Sequence, residues 1–537
     1  MNPDRTGALS RRHRRLVLVS MCVALATVVS AVSSLNVALP DVARDLRATQ
    51  TELQWIIDSY AVIFAGLLLL AGALGDRLGR RPLLLVGLGI FSAAAGVGLV
   101  VDSPGGLIAV RAVMGLGAAA IMPSTLSIIT NVFPPGERDR AVSIWAGVAG
   151  ASALLGLLVS GALLELFAWP SVFAFNAVLG LAALVAATRF APDSKLDRAR
   201  LDAVGGVLSA LGLSGLVYGI IEGPARGWTD PVTLAAFGAA LVLLGAFVAW
   251  ELRREEPLLD PRLFRLRGFG AGAASVAVQF FALFGFIFVI LQYVQFVLGY
   301  SPLEAGLALA PIAVVMMVLS PRVPRLLEHF GPARVGPVGL LLMAGGFAVF
   351  STAGVDSGYA LVLAGLLLLG LGAALAVTPA TTSIVSSLPP RKQGVASAVN
   401  DAAREVGGAL GIAVLGSALT DRYQAGVADA LGQAPAGLAE RAHDALPAAL
   451  AVAERLGPQG AGLAAQAQAA FVDGLSLAMV IAAATVAVAA VFVWWRAPSE
   501  VVVPPEERRE APKRRHRAGD GLALAPGGSP AEARERN

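Results

Sequence analysis

The sequence predicts an all-α membrane protein with fourteen transmembrane helices, arranged as two related six-helix halves with two helices inserted between them. Three observations predict it. Hydrophobic residues fill 56% of the 537 positions and charged residues only 15%, a balance that water-soluble domains do not carry. The apolar residues fall in runs of about twenty, the length a helix needs to cross the hydrocarbon core of a bilayer. An ordered set of matches then recurs at an offset of 255 or 256: GLGAA at 115–119 and 370–374, Pro123 and Pro379, Ser127 and Ser383, Pro134–Pro135 and Pro389–Pro390. The stretch LGDRLG at 74–79 also recurs, eroded, as LLEHFG at 326–331, so that Asp76 answers to Glu328. Two parallel repeats imply a cavity at their interface and alternating access by rocking of one half on the other.

Taken in order, residues 1–15 are a basic tail carrying Arg5, Arg11, Arg12, Arg14 and Arg15. The first half, 16–188, holds spans at about 16–39, 55–74, 83–101, 106–129, 141–164 and 171–188. The first run is too long for a signal-peptide core and reads as a retained helix. A linker, 189–267, contains two further spans at about 203–222 and 232–250, joined by the turn-rich GPARGWTDP. The second half, 268–495, holds spans at about 268–298, 303–321, 335–353, 359–385, 394–419 and 474–495. Its long loop at 420–473 is Ala-rich, with apolar residues at helical spacing that suggest short amphipathic helices. The tail 496–537, rich in Arg, Glu, Pro and Gly, is expected to be disordered. An even number of spans places both tails on one side. Of the 41 Lys and Arg residues, 33 then fall in the loops and tails of that side, six in the opposite loops and two within spans, which marks the tail side as cytoplasmic.

Chemistry narrows the function. The lone Cys22 excludes a disulfide framework or a cysteine metal site. The four histidines all lie in tails or loops, with no H-E-x-x-H, and no G-x-x-x-x-G-K-[ST] loop is present. An intramembrane metallohydrolase and an ATP-driven pump therefore have no residues to use. No enzyme activity, catalytic residue, metal or cofactor is expected, and nucleic acid is not an expected partner. A receptor or scaffold would carry no charge inside its bundle. Here Asp58, Arg111, Asp401, Arg404 and Glu405 fall within predicted spans, where each charge costs at least about 2.5 kcal/mol to insert and is usually functional. Asp401 and Arg404, three apart on one helical face, read as a balanced inner gate together with Glu405. Asp58 is the clearest acid in the outer part of the first half, and Arg111 approaches from the same side. A low-polarity surrounding favours a protonated carboxyl and a nearby guanidinium an ionised one, so separating such a pair would load a proton. Candidate lining for a substrate cavity is Asn36 in the first span and Gln279, Phe280, Phe284, Gln292 and Tyr293 in the ninth, an aromatic face with a few amides.

The densest charge cluster, GALGDRLGRRP at 72–82, sits between two long apolar runs as a tight loop. Its Gly72, Leu74, Asp76, Arg77, Gly79, Arg80 and Arg81 match the loop signature of the major facilitator superfamily, which the chain therefore resembles. Several stretches look like the fourteen-helix drug:proton antiporter branch of that family: Asn36 to Pro40 (NVALP), the second span SYAVIFAGLLLLAGALGDRLGRR, Arg111 with Gly115 and Gly117, and GVASAVNDAAREVGGALG in the thirteenth span. The resemblance implies the major facilitator fold, a plasma-membrane location and proton-coupled efflux of hydrophobic or amphipathic compounds, with transport of one dedicated metabolite as the alternative. The implied partners are a small-molecule substrate, protons and the lipid bilayer, with a monomer as the working unit. It also implies that the 72–81 signature is a conformational latch, whose Asp76 faces the start of the thirteenth span near Gly394. Two departures stand out. The fifth-span antiporter motif lacks its proline, reading Gly156–Leu157 and Ser160–Gly161, and Ala31 occupies the place of the first-span acid.

Overall fold

The computed structural model describes residues 10–46, 48, 50–192, 202–255, 257–388, 393–431 and 446–497. The side chain of Asn36 and the tails 1–9 and 498–537 lie outside the described residues. Among those described, fourteen helical segments are long and apolar enough to cross a membrane. The first half consists of α1 (Arg11–Leu46), α2 (Gln50–Leu78), α3 (Arg80–Val97), α4 (Pro104–Val132), α5 (Pro135–Leu166) and α6 (Pro170–Phe190). The inserted pair is α7 (Ala203–Arg226) and α8 (Pro231–Glu251). The second half runs through α9 (Arg267–Gln292), α10 (Pro302–Leu319) with its continuation α11 (Val323–Phe330), α12 (Pro332–Phe350), α13 (Tyr359–Ser386) and α14 (Gln393–Leu431). It closes with a short α15 (Leu446–Leu456) and α16 (Ala461–Arg496). We call the end of the bundle from which α1 departs the inner end and the opposite one the outer end.

Helix starts follow local chemistry. Ser103 caps α4, Asp202 caps α7 and Asp230 caps α8, each accepting from backbone N–H groups that the first turn leaves unpaired. Ser301 and Glu304 close a reciprocal capping box on α10. Proline stands in the first turn of many of these helices, where its missing N–H costs nothing.

The repeat is visible as packing. In the first half α1 lies on α5 and α6, α2 on α4, and α3 on α4 and α6. In the second half α9 lies on α14 and α16, α10 on α13, and α12 on α13 and α16, the same five pairings. Glycines explain why GLGAA recurs. A Cβ on Gly115 would stand 2.6 Å from the Tyr60 carbonyl of α2, and one on Gly370 3.0 Å from the Ile312 carbonyl of α10. Two residues on, Gly117 meets the Gly87 carbonyl of α3 at 2.8 Å and Gly372 meets the Gly339 carbonyl of α12 at 2.5 Å. Each motif thus lets one helix touch two neighbours backbone to backbone, which is how helices gain contact where lipid removes the hydrophobic drive. The relation extends to the fifth helix of each half, where Gly156 abuts Ser30 on α1 and Gly411, 255 positions later, abuts Phe281 on α9.

The region 420–473 departs from a loop. α14 continues to Leu431 and α16 begins at Ala461, with α15 between them; residues 432–445 lie outside the described set. Tyr423, Val427, Leu446, Ala449, Val452 and Phe471 are buried against one another's helices. Alanine-rich sequence is the best helix former, so the two membrane helices propagate outward and their apolar stripes pair. α1 likewise continues to Leu46, past Pro40.

Close approach at the α3–α4 crossing gives a test. Gly87→Val would place side-chain atoms within 2.9 Å of the Gly117 carbonyl and should destabilise the protein by about 1–3 kcal/mol, lowering its melting temperature in detergent. Gly89→Val, where nothing lies within 4 Å, should leave the melting temperature unchanged.

Candidate functional site

The two halves meet at the inner end around one carboxylate. Gly79, at φ 108°, makes the turn from α2 into α3 with a backbone that side-chain-bearing residues rarely adopt. Asp76, in the last turn of α2, accepts from Arg80 Nε at 3.1 Å and Nη2 at 2.9 Å. Both its oxygens also accept from the Gly394 N–H of α14, each at 3.1 Å. Arg80 Nη1 reaches the Ser127 carbonyl of α4 at 3.3 Å, and Asp76 and Arg80 are both buried. Gly72 makes this possible: a Cβ there would lie 2.6 Å from the Gly394 carbonyl, and one on Gly394 2.5 Å from that of Gly72. The negative charge therefore sits at the positive end of a helix whose first N–H groups lack intrahelical partners. Arg77 is exposed and Arg81 donates to the Thr188 carbonyl of α6 at 2.6 Å, so these two residues of the signature lie outside the clasp.

Two turns along α14 comes the second charge group. Asp401 and Arg404 pair at 3.8 Å, both buried, and Asp401 accepts from Asn400 Nδ2 at 3.3 Å. Thr381 of α13 donates to Asn400 Oδ1 at 3.1 Å. The Arg404 guanidinium lies 4.4 Å over the Phe280 ring of α9 and 5.6 Å over the Trp145 ring of α5, while its Nε has no hydrogen-bond partner among the described residues. A cation of the second half is thus shared with an indole of the first. Trp145 Nε1 donates to Thr125 Oγ1 at 3.2 Å, which fixes the ring. Sequence reasoning missed Trp145. Its signal was a single large aromatic in the otherwise small-residue stretch SIWAGVAGAS.

Arg111 is held by the backbone of α1 and α2. It donates to the carbonyls of Ile56 (3.1 Å) and Ala31 (3.4 Å) and lies 4.3 Å over the Tyr60 ring. A guanidinium is satisfied most readily by oxygens already fixed in the bundle, and two backbone carbonyls supply them. Asp58 is half-buried one turn away and within electrostatic reach of Arg111. Tyr60 is the other residue that sequence reasoning missed. Its hydroxyl donates to the Val28 carbonyl at 3.2 Å, and it is electrostatically coupled to both Arg111 and Glu405. Two charged groups therefore lie buried in the bundle, Arg111 over the neutral Tyr60 ring in the first half and Asp401 with Arg404 in the second, and Arg404 reaches the first half through Trp145.

The cavity candidates on α9 divide. Phe280 and Phe284 form an edge-to-face pair at 5.4 Å, Phe280 under Arg404 and Phe284 against Gly408 of α14. Gln279 is fully buried, donating to Ser275 Oγ at 2.8 Å. Gln292 donates to the Phe288 carbonyl of its own helix at 3.1 Å. Tyr293 is not a lining residue: it is fully buried in the core of the second half, its hydroxyl on the Gly354 carbonyl at 2.8 Å. It follows Phe286, Val289 and Ile290 at helical spacing on the buried face of α9, and a single π-helical turn, Tyr293–Val297, begins with it.

Two six-helix repeats with buried charge at their shared seam define a polytopic membrane protein of two related halves. The chain belongs to the major facilitator superfamily, whose profile, described as Major Facilitator Superfamily, matches residues 7–412. It is 37% identical over 407 residues to the tetracenomycin C resistance and export protein of Streptomyces glaucescens, covering 75% of this chain and 76% of that one. It is 35% identical over 493 residues to the multidrug efflux pump LfrA of Mycolicibacterium smegmatis, covering 91% and 97%. Its fold is that of the proton:xylose symporter XylE, with a TM-score of 0.58 at 16% identity over 91% of this chain and 97% of that one.

Burial of the α14 pair makes a double-mutant prediction. Arg404→Ala leaves Asp401 buried without its cation and should cost about 3–5 kcal/mol, read as a lower melting temperature. Adding Asp401→Ala should recover part of that loss, and a double variant less stable than either single one would contradict the pairing.

Proposed function

We propose that this protein is a proton-coupled exporter of hydrophobic or amphipathic small molecules in the plasma membrane, with both termini in the cytoplasm and a single chain as the working unit. The observation that carries the reading is buried charge held across the interface of the halves, Asp76 on the Gly394 N–H and Arg404 over Trp145, on a fold of two repeated halves. Export is supported by the relatives named above. The cephamycin export protein CmcT of Amycolatopsis lactamdurans, 36% identical over 431 residues, supports the second reading, one dedicated metabolite as cargo.

In this reading the Asp76 clasp is the latch that holds the inner end shut. Releasing it requires Gly394 to leave a buried anion, so opening is coupled to finding that anion another partner. The α14 group is the inner gate, because Arg404 cannot leave Trp145 without the halves parting. Asp58 is the residue that exchanges protons with the outer side, and Arg111, anchored on carbonyls of α1 and α2, is its fixed counter-charge. Movement of α2 against α4 changes the distance between them, and with it the preference of Asp58 for a proton.

The test is drug accumulation in cells expressing the protein. Expression should lower accumulation of amphipathic compounds severalfold, and an uncoupler should restore it; lowered accumulation that survives the uncoupler would refute proton coupling. Asp58→Asn should abolish proton-driven transport while leaving downhill exchange intact, and full proton-driven transport in that variant would remove the assignment. Asp76→Asn should slow transport about tenfold or more at unchanged expression, whereas an unaltered rate would rule out the latch.

A further inference from the structure

The inserted helices have no counterpart in the repeat, and the transport reading gives them no part. α7 lies along α2 for most of its length. Near the outer end Trp55 and Tyr218 are in ring contact at 5.6 Å; midway, Ser214 Oγ donates to the Val62 carbonyl at 3.3 Å. A Cβ on Gly66 would fall 2.0 Å from Ser214 Oγ, and near the inner end one on Gly206 would fall 2.5 Å from Leu70. Close small-residue approach with a hydrogen bond specifies one register between two helices. The other flank of α7 meets α14 through a different kind of contact. Leu208 and Leu213 lie on an apolar cluster that contains Leu69, Val395 and Val399, and no hydrogen bond joins α7 to α14 among the described residues. Apolar packing without a hydrogen bond or a close glycine contact specifies register less tightly than the α2–α7 contact does, since lipid chains offer a similar surface.

α7 therefore straddles the α2–α14 seam, one of two lines along which the halves meet beside the bilayer. α2 has a single strongly exposed large apolar residue among those described, Leu78 at its end. The opposite seam, between α5 and α10, has no such cover. Leu155 on α5 and Leu307, Val314, Met317 and Val318 on α10 are exposed. That seam is closed more loosely, Gly306 facing the tips of Leu157 and Leu158, Gly150 facing the Met316 sulfur at 3.2 Å, and Gly147 coming no nearer than 3.6 Å to the Met316 carbonyl. At the α2–α14 seam the closure at Gly72 and Gly394 is backbone on backbone.

We propose that α7 is a shutter fixed to the first half, sliding on α14 and sealing the α2–α14 seam, so that an amphipathic compound dissolved in the bilayer reaches the central interface only between α5 and α10. The route rests on the transport reading; the shutter does not.

The experiment uses the full chain with Cys22→Ser, reconstituted in liposomes. A nitroxide at Ala403→Cys, on the α14 side of the covered seam, should show low collision with oxygen with and without an imposed proton gradient, and one at Met317→Cys a severalfold higher rate. Oxygen access at Ala403 equal to that at Met317 under either condition overturns the shutter. Gly66→Cys with Ser214→Cys would set two Cβ atoms 3.3 Å apart, just under the usual disulfide spacing of about 3.5–4.5 Å, so a slight separation of α2 and α7 lets the bond form. Oxidising that pair should leave transport within twofold of the reduced protein, whereas bridging Leu208→Cys to Val395→Cys with a bismaleimide should lower it at least tenfold. The reverse pattern overturns the sliding face. If neither pair transports any compound before cross-linking, the transport reading fails, and the nitroxide rates still decide the shutter.

Discussion

The inner end of this molecule depends on one buried carboxylate that neither half satisfies alone. Asp76 takes two hydrogen bonds from Arg80 in its own half and two from the Gly394 N–H in the other. An ionised carboxylate away from water is tolerated only when its lone pairs are filled, so the geometry of both halves at that end is specified by one side chain. The two glycines are part of the same requirement, because a methyl group on either would hold the helices apart and strand the anion.

The fold was legible because the membrane restricts what a chain can be. Backbone groups in lipid must pair within a helix, so apolar runs of the right length become helices. The GLGAA repeat was legible for a related reason: glycine marks where backbones touch, and equivalent helices touch at equivalent places. What hydropathy could not show was where helices end. Around 420–473 alanine-rich sequence with scattered charges scores as a loop, but helix propensity and pairing of apolar stripes act in water as well as in lipid. Tyr293 was misplaced on the strength of its aromatic ring, although its spacing from Phe286 and Val289 puts it on the core face of its helix.

The site was legible in its charges and illegible in their partners. A charge in an apolar run announces itself; the groups that receive it do not. Arg111 was visible, but its acceptors are carbonyls, which every residue has, and Tyr60 and Trp145 are aromatics among many apolar neighbours. Pairings within one helix, such as Asp401 with Arg404, follow from spacing. Pairings between helices, such as Arg404 with Trp145 or Arg111 with Tyr60, require the fold.

The length of α14 gives the clasp a mechanical meaning. Its 39 residues make a rod about 58 Å long, nearly twice the thickness of the hydrocarbon core, and its first turn is the part held by Asp76. A rod pinned at one tip works as a lever. Tilting it about that tip by about 10° would move the other tip by about 10 Å. There α14 is splinted to α16 through Tyr423, Val427 and Phe471, so the outer ends of these two helices are braced against each other.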